Sequence, residues 1–294
     1  MVAVLALGID IGGSGIKAAP VDTETGEPTA ERFRLETPRP ALPEAVAEKA
    51  GEVAAHFAWS GPVGVTFPGV VTRGTVRTAA NMEPEWIGVD AAALFARVLR
   101  GYGDPSQGDG VSQGAGGLAP RVLNDADAAG VAEMAHGAGR GRDGVVLMLT
   151  FGTGIGSALF VDGLLVPNTE FGHLEIRGKD AERRASARVR DEKKLSWEKW
   201  AKRVQEYLSH VEALFSPDLI IIGGGVSKHA DSFLPRLKLR AEIVAAQLAN
   251  TAGIVGAAMA AVTAPTAAQG GQGVVESNLI AAEDTAAATE IPTP

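Results

Sequence analysis

Residues 5–17 read Leu-Ala-Leu-Gly-Ile-Asp-Ile-Gly-Gly-Ser-Gly-Ile-Lys, a glycine-rich turn between two apolar runs. The pattern predicts strands over residues 3–10 and 15–22 that pair as a hairpin. Glycines allow backbone N–H groups to approach an anion closely. Lys17 adds a positive charge suited to phosphate, and Asp10 stands where a magnesium ion or its waters could bind. The segment therefore indicates a phosphate-binding hairpin.

The spacing of this turn excludes two common phosphate-binding motifs. A dinucleotide-binding fingerprint needs a helix after the glycines, and here a strand pattern follows them. A Walker loop needs Gly-x-x-x-x-Gly-Lys-Ser/Thr, which the segment does not contain. An ordinary hairpin turn with a solvated lysine fits the same residues equally well. The candidate phosphate-binding residues are Asp10, Gly12, Gly13, Ser14, Gly15 and Lys17.

A second stretch has the same design. Residues 149–162 read Leu-Thr-Phe-Gly-Thr-Gly-Ile-Gly-Ser-Ala-Leu-Phe-Val-Asp, and a shift of 140 positions places Gly12 on Gly152 and Asp22 on Asp162. Two such hairpins, one opening each half of the chain, predict a duplicated fold that holds a phosphate chain between two turns. An accidental pair of glycine turns is the alternative. The second turn adds three candidate phosphate-binding residues: Gly152, Thr153 and Gly154.

Composition narrows the classes of function. The chain has 294 residues, of which 46% are hydrophobic, and this suits two globular domains. Its net charge of −8 argues against general nucleic-acid binding. No apolar run approaches the roughly 20 residues that a membrane helix needs, so we expect no membrane partner. The chain has no cysteine, which excludes disulfides and thiolate metal sites and agrees with a cytoplasmic location.

Residues 177–203 reverse this acidic balance, and we call them the basic strip. They carry eleven Lys or Arg residues against five Asp or Glu residues, a net charge of +6. A solvated helix face that is balanced by acids elsewhere has this composition. A surface that binds a long, flexible polyanion through successive cations has it too. Four cations are the candidates for the second interpretation: Arg183, Arg184, Lys193 and Lys194.

Strand and helix patterns alternate along the rest of the chain, which predicts an α/β architecture of two similar lobes facing a cleft. Helices are expected over 43–58, 91–100, 128–136, 196–215 and 252–262, and strands over 63–67, 121–123 and 219–222. Residues 165–195 have a charged, loop-like composition. We therefore expect an N-terminal lobe over 1–123 with a Gly-rich insertion at 101–120, a C-terminal lobe over 124–263, and a disordered tail over 264–294.

Four residues follow the strand at 121–123, namely Asn124-Asp125-Ala126-Asp127. Ligands gather at such strand ends in open α/β sheets. Phosphoryl transfer needs a held donor, a cation that neutralises charge, and a carboxylate that orients the attacking hydroxyl. Asp125 is the candidate for that carboxylate, and Asn124 can bond a neighbouring sugar hydroxyl. The alternative is that Asp125 or Asp127 only caps the next helix.

Further polar segments suit recognition of a polyol. Asn81-Met82-Glu83-Pro84-Glu85-Trp86 supplies an amide and an aromatic wall, although Trp86 also suits plain core packing. Glu170-Phe171-Gly172-His173 places a carboxylate and an imidazole three residues apart, where both could bond adjacent ring hydroxyls. Such a pair without cysteine is a poor zinc site. A glycine run, Gly223-Gly224-Gly225, ends the apolar strand at 219–222.

Together these motifs resemble the sugar kinases of the ROK family, within the actin and hexokinase superfamily. The resemblance covers residues 4–263 apart from the insertion at 101–120. It implies a two-lobed, actin-like and ribonuclease H-like fold with duplicated halves and a central cleft. It implies that Asp125 is the catalytic base and that four residues hold the sugar: Asn81, Asn124, Glu170 and His173.

The resemblance extends to the phosphoryl donor and to assembly. It implies that both glycine turns clasp the donor phosphates. It places Gly223, Gly224 and Gly225 near the distal phosphate or the nucleoside of the donor. It also implies a homodimer.

One departure from the family pattern concerns metal. Most ROK members follow Glu-x-Gly-His with a cysteine-rich zinc loop, whereas residues 175–190 are charged and cysteine-free, so zinc is not carried over. In this cysteine-free segment the chain is similar to the actinobacterial polyphosphate glucokinases, which lack zinc. Two runs carry the same similarity: Ser-Ala-Arg-Val-Arg at 186–190 and Leu-Ser-Trp-Glu-Lys-Trp at 195–200. The implied reaction transfers the terminal phosphoryl group of inorganic polyphosphate or ATP, with Mg²⁺, to the 6-hydroxyl of glucose.

Three other functions are compatible with the same motifs. A strictly ATP-dependent hexose or N-acetylhexosamine kinase of the same fold is the nearest of them. A non-catalytic sugar sensor would keep the fold, although the intact Asp125 and both glycine turns argue against it. An actin-like filament would need a self-complementary assembly surface.

Overall fold

A computed structural model describes residues 4–79, 82–102 and 119–263. Its strands, in chain order, are β1 (Leu5–Gly12), β2 (Gly15–Asp22), β3 (Glu27–Pro28), β4 (Phe33–Leu35), β5 (Val63–Phe67), β6 (Val71–Thr72), β7 (Thr75–Val76), β8 (Arg121–Asn124), β9 (Val145–Phe151), β10 (Ile155–Val161), β11 (Leu164–Val166), β12 (Glu175–Ile176), β13 (Lys179–Asp180), β14 (Leu219–Gly224) and β15 (Glu242–Ala245). Its α-helices are α1 (Pro43–His56), α2 (Ala91–Gly101), α3 (Asp125–His136), α4 (Glu182–Ala185), α5 (Ala187–Glu192), α6 (Trp197–Phe215), α7 (Ala230–Phe233) and α8 (Ala252–Val262). Short 3-10 turns cover Pro84–Trp86, Phe171–His173, Gly225–His229, Leu234–Arg236 and Ala249–Thr251.

Two sheets of the same topology form the framework. The first has the strand order β3-β2-β1-β5-β8, with β4 also paired to β2, and the second has the order β11-β10-β9-β14-β15. In both sheets the hairpin strands are antiparallel, and the two strands on the other side of the first hairpin strand run parallel to it. The repeated topology confirms the duplicated α/β fold that the two glycine turns predicted.

Alternation along the strands sorts the apolar side chains into three cores. In β1, Leu7 and Ile9 point to a core that α1 and α2 cover, whereas Ala6 points to the opposite side. In β9, Leu147 points to a core that α6 covers, whereas Met148 points to the same shared core as Ala6. Small residues of α3 and α8 fill that shared core. These two helices therefore lie between the sheets.

Glycine permits the close approach of α8 to its neighbours. A Cβ atom at Gly64 of β5 would lie 1.8 Å from the carbonyl oxygen of Ala257 in α8. A Cβ atom at Gly256 of α8 would lie 1.8 Å from the carbonyl oxygen of Ala128 in α3. No other amino acid fits at these distances without moving a backbone. As a result α8, from the end of the described chain, packs directly against β1 and β5 of the first sheet.

Both expected hairpins are present, and in the first of them Asp10 pairs with Lys17 and Gly12 with Gly15. The structure differs from expectation at residues 165–195, which contain β12, β13, α4 and α5 as well as loop. The charged composition of this segment made two short helices unrecognisable. Their small apolar residues pack against α6, while Arg183 and Arg188 are exposed to solvent. The helix expected from residue 128 starts at Asp125, three residues earlier.

Some expectations fall on residues that the structure does not describe. Asn81, residues 103–118 of the expected insertion and the tail at 264–294 lie outside the described ranges. The chain up to Thr263 forms one compact unit. The expected boundary between two lobes, at residues 123 and 124, falls at the end of β8. Of the helices within the described ranges, none combines the length and the apolar character needed to cross a membrane.

Candidate active site

The carboxyl ends of β1, β9 and β14 and the start of α3 border one cleft, with a cavity of about 210 Å³. Its lining includes Asp10, Lys17, Asp125, Thr150, Gly223, Gly224, Asn250 and Gly253. Five predicted site residues therefore share one cavity, while the glycines of the two hairpin turns and Gly225 are outside its lining. A larger groove of about 980 Å³ between α1 and α2 is lined by none of the predicted site residues in the described ranges.

Asp10 and Lys17 face each other across the first hairpin. Lys17 Nζ lies 3.3 Å from Asp10 Oδ2, and the Thr66 hydroxyl donates to Asp10 Oδ1 at 2.9 Å. The same hydroxyl accepts the N–H of Ile11 at 3.1 Å. Thr66 of β5 thus fixes the carboxylate at the edge of the cleft. The sequence did not predict this contact, because the two residues lie 56 positions apart along the chain.

Two arginines from outside the hairpin hold its turn. The guanidinium groups of Arg34 and Arg39 donate to the carbonyl oxygens of Ser14 at 2.8 Å and Gly13 at 2.7 Å. These bonds occupy carbonyl groups of the turn and bring two positive charges to it, which favours an anion there. Sequence analysis missed both arginines, because they lie 20 and 26 residues along the chain from the groups they bond.

The second turn is tied to the helices that follow it. The Gly152 N–H donates to the carbonyl oxygen of Gly154 at 3.0 Å, and the Arg188 N–H donates to the carbonyl oxygen of Gly152 at 3.1 Å. Glu182 Oε2 accepts the N–H of Ile155 at 3.2 Å. The turn therefore contacts α4 and α5, both of which belong to the basic strip. Glu182 is a further residue that sequence analysis did not assign.

Asn124 caps α3, and neither neighbouring aspartate does. Its Oδ1 accepts the N–H groups of Ala126 at 2.8 Å and Asp127 at 3.2 Å. Its Nδ2 donates to the carbonyl oxygen of Gly69 at 3.1 Å. The side chain is buried by these contacts, so a bond to sugar would have to use its second amide hydrogen. The cap leaves the carboxyl of Asp125 available for other chemistry.

The carboxyl of Asp125 opens into the cleft. Its Oδ1 accepts the N–H of Ala126 at 2.8 Å. Enclosure by the cleft partly desolvates the carboxyl and raises its pKa to about 6, while the residue stays exposed on its open side. The charges of Asp10 and Glu170 act in the same direction. A general base works best when its pKa lies near the working pH. Position and pKa therefore both suit Asp125 to accept a proton from a hydroxyl in the cleft.

Glu170 and His173 lie together on the loop before β12. His173 Nε2 is 3.9 Å from Glu170 Oε2, and His173 Nδ1 is 3.3 Å from Asp180 Oδ2. Burial raises the pKa of Glu170, and His173 opposes that shift. The charge of Glu170 also raises the pKa of Asp125, although neither Glu170 nor His173 is among the residues that line the cavity of about 210 Å³. The carboxylate can accept hydrogen bonds and the imidazole can donate or accept them, so the pair is suited to binding hydroxyl groups.

Asn168 joins this loop to both halves of the chain. Its backbone N–H donates to Asp127 Oδ2 at 2.8 Å. Its carboxamide accepts the N–H of Val71 at 2.9 Å and donates to the carbonyl oxygen of Val71 at 3.0 Å. Burial raises the pKa of Asp127 to about 7. Asn168 and Asp127 therefore position the loop that carries Glu170, and sequence analysis missed both of these contacts.

Within the described ranges, two places offer oxygen or nitrogen ligands to a metal ion. Asp10 presents a carboxylate to the cleft, which suits Mg²⁺. His173, Asp180 and Glu182 each place a ligand atom within 4.8 Å of the other two. That group can hold a divalent cation without any thiolate. The lack of cysteine therefore does not exclude a metal beside His173.

The cations of the basic strip differ in their surroundings. Arg184 donates to Glu206 at 2.8 Å and is half-buried, so much of its charge is balanced within the protein. Arg190 lies 3.5 Å from the ring centre of Trp197 and pairs with Asp191. Three predicted cations stay exposed at the surface: Arg183, Lys193 and Lys194.

Comparison with known proteins identifies the family. Polyphosphate glucokinase of Mycobacterium tuberculosis is 50% identical over 259 residues, which cover 88% of this chain and 92% of that protein. This chain belongs to the polyphosphate glucokinase family. No protein-family model matches the sequence. The relationship confirms the resemblance that the two glycine turns, the Asn-Asp-Ala-Asp segment and the basic strip indicated.

Solved structures place the polyphosphate glucokinase family within a wider group. Inorganic polyphosphate/ATP-glucomannokinase from Arthrobacter sp. strain KM is 49% identical, with a TM-score of 0.77 over 87% of this chain and 97% of that chain. A ROK family glucokinase from Streptomyces griseus, in complex with glucose and AMPPNP, is 25% identical, with a TM-score of 0.71 over 88% of this chain and 99% of that chain. The expected actin-like fold of ROK sugar kinases is confirmed.

The pKa of Asp125 predicts how activity depends on pH. Because the pKa is raised to about 6, the carboxyl is protonated below that pH and cannot accept a proton. We expect kcat/KM for the sugar to fall by about tenfold for each unit below pH 6 and to level off above it. Steady-state rates measured between pH 5 and 8 check this.

A change of donor and a variant at Asp127 show which ionising group causes the inflection in that pH profile. Polyphosphate and ATP titrate differently, so a profile set by the enzyme has the same inflection with either donor. The Asp127→Asn variant should keep the inflection near pH 6. An inflection that follows the donor, or that disappears in Asp127→Asn, would contradict the assignment to Asp125.

Proposed function

We propose that this chain is a polyphosphate-dependent glucokinase. It transfers the terminal phosphoryl group of inorganic polyphosphate, and also of ATP, to the 6-hydroxyl of glucose and forms glucose 6-phosphate. The membership in the polyphosphate glucokinase family supports this reaction. The observation that carries it is the Asp125 carboxyl, which shares one small cavity with Asp10 and Lys17 of the first hairpin.

In the proposed reaction Asp125 accepts the proton of the sugar 6-hydroxyl as its oxygen attacks the terminal phosphorus. The bond between that phosphorus and the bridging oxygen breaks, and the shortened phosphate chain or ADP leaves with the bond's electron pair. The turns Gly12–Gly15 and Gly152–Gly154, together with Lys17, hold the donor phosphates through backbone N–H groups other than that of Gly152, which bonds to Gly154 within its turn. Closure of the cleft would exclude water, which competes with the sugar as acceptor.

Magnesium fits this site, and Asp10 is the residue that would hold it, directly or through water. The Asp10 carboxylate lines the cavity, and oxygen ligands of this kind are those that Mg²⁺ prefers. When bound, the ion neutralises charge that develops on the transferring phosphoryl group. The contacts of Asp10 with Lys17 and Thr66 keep the carboxylate in place on the donor side.

The sugar would lie between Asp125 and the loop of Glu170 and His173. These two side chains and Asn124 supply hydrogen bonds to ring hydroxyls, and Asn81 is proposed as a further ligand. Gly223, Gly224 and Gly225 would contact the distal phosphate or the nucleoside of the donor. We further propose that the enzyme is a cytoplasmic homodimer that serves glycolysis, which rests on the family resemblance.

A donor and acceptor assay tests the proposed function. Steady-state rates are measured with ATP or with polyphosphate in rigorously ATP-free reagents, against glucose, mannose and N-acetylhexosamines. We expect glucose 6-phosphate from both donors. Transfer from ATP alone would indicate a strictly ATP-dependent hexose kinase. No sugar-dependent transfer from either donor would favour the non-catalytic sugar sensor.

The basic strip predicts a difference between the donors. We expect Arg183→Gln, Lys193→Gln and Lys194→Gln together to raise KM for long-chain polyphosphate by roughly tenfold, because each removes a charge that meets a phosphate. KM for ATP should stay within about twofold, since none of these three cations lines the cavity that contains Asp125. Steady-state kinetics with both donors check this.

Arg184 supplies a control for the strip variants. Because Glu206 already pairs with this guanidinium, adding Arg184→Gln to the three changes should add little to the effect on polyphosphate. An equal rise of KM for both donors would exclude the strip as a polyphosphate surface.

A further inference from the structure

Glu133, in the third turn of α3, is a buried carboxyl that the proposed reaction does not use. Its Oε2 accepts the N–H groups of Ala138 at 2.8 Å and Gln247 at 3.1 Å, and its Oε1 accepts that of Leu248 at 2.7 Å. The last two partners lie 114 and 115 residues further along the chain. Removal of a bonded partner from a buried polar group is costly, so these bonds hold the distant segment firmly in place.

The segment that Glu133 holds forms one wall of the cleft. Three of its residues line the cavity of about 210 Å³: Ala246, Ala249 and Asn250. The carbonyl oxygen of Leu248 accepts the N–H of Thr251 at 3.1 Å and so begins the turn that leads into α8. Because Glu133 is on α3, one helix carries both the proposed base at its start and the support for this wall.

The chemistry of the wall suits a nucleoside better than a phosphate chain. Residues 246–250 read Ala-Gln-Leu-Ala-Asn and carry no charge. The N–H groups of Gln247 and Leu248 are already bonded to Glu133, whose carboxyl lies behind the wall. Polyphosphate carries negative charge on every unit, so this surface offers it no electrostatic attraction. A nucleoside is uncharged, and the carboxamide of Asn250 can both donate to it and accept from it.

We propose that Glu133 is a positioning residue for ATP, which fixes the wall against which the nucleoside rests. Glu133 thereby determines how well the enzyme uses ATP relative to polyphosphate. This inference rests on the proposed function, in which the phosphates of both donors occupy the same two turns. Among the described residues, no cation of the basic strip lines the cavity, so a long polyphosphate chain that leaves the turns toward the strip need not touch this wall.

The test is the Glu133→Gln variant, assayed with ATP and with polyphosphate. Glutamine keeps one acceptor oxygen but places an NH₂ group against a backbone N–H, so the wall loses a bond and shifts. We expect KM for ATP to rise by about tenfold, the effect of losing one hydrogen bond to a charged group. KM values for polyphosphate and for glucose should stay within about twofold, a split that general destabilisation would not produce.

Glu212→Gln is the matched control. Glu212 Oε1 accepts the N–H groups of Arg240 at 2.6 Å and Ala241 at 2.8 Å, so it too ties a distant backbone segment to a helix. That segment does not line the cleft. We expect unchanged KM values for both donors in this variant. A Glu133→Gln variant that raises KM for both donors equally, or for neither, overturns the proposal.

Hydrogen exchange of the unmodified protein gives a second measurement if Glu133→Gln fails to fold. A non-hydrolysable ATP analogue should slow amide exchange across residues 246–252, and polyphosphate should leave that exchange unchanged. Equal protection by both donors, or protection by neither, overturns the inference about the wall. If the wild-type enzyme transfers phosphate from neither donor, the proposed function itself is wrong. If it uses polyphosphate but not ATP, only the role of Glu133 is wrong.

Discussion

Asp125→Asn is expected to lower kcat by about 10²–10⁴-fold with either donor, the usual contribution of a positioned general base. The amide cannot accept the proton of the sugar hydroxyl, yet its oxygen can still accept the N–H of Ala126, as Asp125 Oδ1 does at 2.8 Å. The helix start should also survive, because Asn124 provides the cap. We therefore expect a folded protein that binds sugar and turns over very slowly. Steady-state rates and circular dichroism measure the two properties.

Asp162→Asn is the matched control for this variant. Asp162 Oδ1 likewise accepts one backbone N–H, from Gly144 at 3.0 Å, and it lies at the far end of β10 from the second glycine turn. The same chemical change there should leave kcat within about twofold, the scale of a surface substitution away from the site. Near-normal turnover in Asp125→Asn would refute the assignment of the base.

Gly256→Ala is expected to cause the largest loss of stability. A Cβ atom at this position of α8 would lie 1.8 Å from the carbonyl oxygen of Ala128, so α3 and α8 would have to separate. Overpacking of this kind costs about 3 kcal/mol. For a chain of this size that corresponds to a fall in Tm of roughly 6–12 °C. Thermal unfolding followed by circular dichroism measures it.

Gly101→Ala separates this effect from helix propensity. Gly101 is the last residue of α2, and no described atom lies within 4 Å of a Cβ placed there. Alanine in place of glycine should be neutral or stabilise by up to about 1 kcal/mol. If both substitutions changed Tm alike, the close packing of α3 against α8 would not be what limits stability.

Gly256→Ala also bears on catalysis, because α3 carries Asp125 at its start. A shift of α3 away from α8 would move the base relative to the cleft. Reactions of this kind lose rate when a catalytic group is misplaced by about 1 Å. Turnover of the variant, measured well below its Tm, should therefore fall as well.

Much of the fold was predictable from local sequence. The glycine-rich segments at 12–15 and 152–154 between alternating apolar runs predicted both hairpins, because glycine between two strand patterns is typical of a tight turn. The helix over residues 252–262 agreed with its observed bounds. The short helices within 165–195 were not predicted. Their apolar faces are only two or three residues long, and the surrounding charged residues are typical of a loop.

The candidate site was predictable where chemistry and chain position coincide. Asp125 follows a strand end, and the structure places it in the cleft beside Asp10 and Lys17. The contacts that hold the site were not predictable. Thr66 lies 56 residues from Asp10, and Asn168 lies 97 residues from Val71. Each of these polar residues is ordinary in its local context and acquires its role only from the partner that folding brings to it.

By itself, the sequence determined the duplicated α/β topology, the two glycine-rich hairpin turns and the choice of Asp125 as candidate base. Those features depend on backbone freedom and on period-two burial, which are properties of neighbouring residues. Only the tertiary structure decided that Asn124 caps α3, that Arg34 and Arg39 hold the first turn, and that Glu133 supports a wall of the cleft. A hydrogen bond requires a donor and an acceptor about 3 Å apart, and the local sequence does not determine which distant group lies that close in the folded chain.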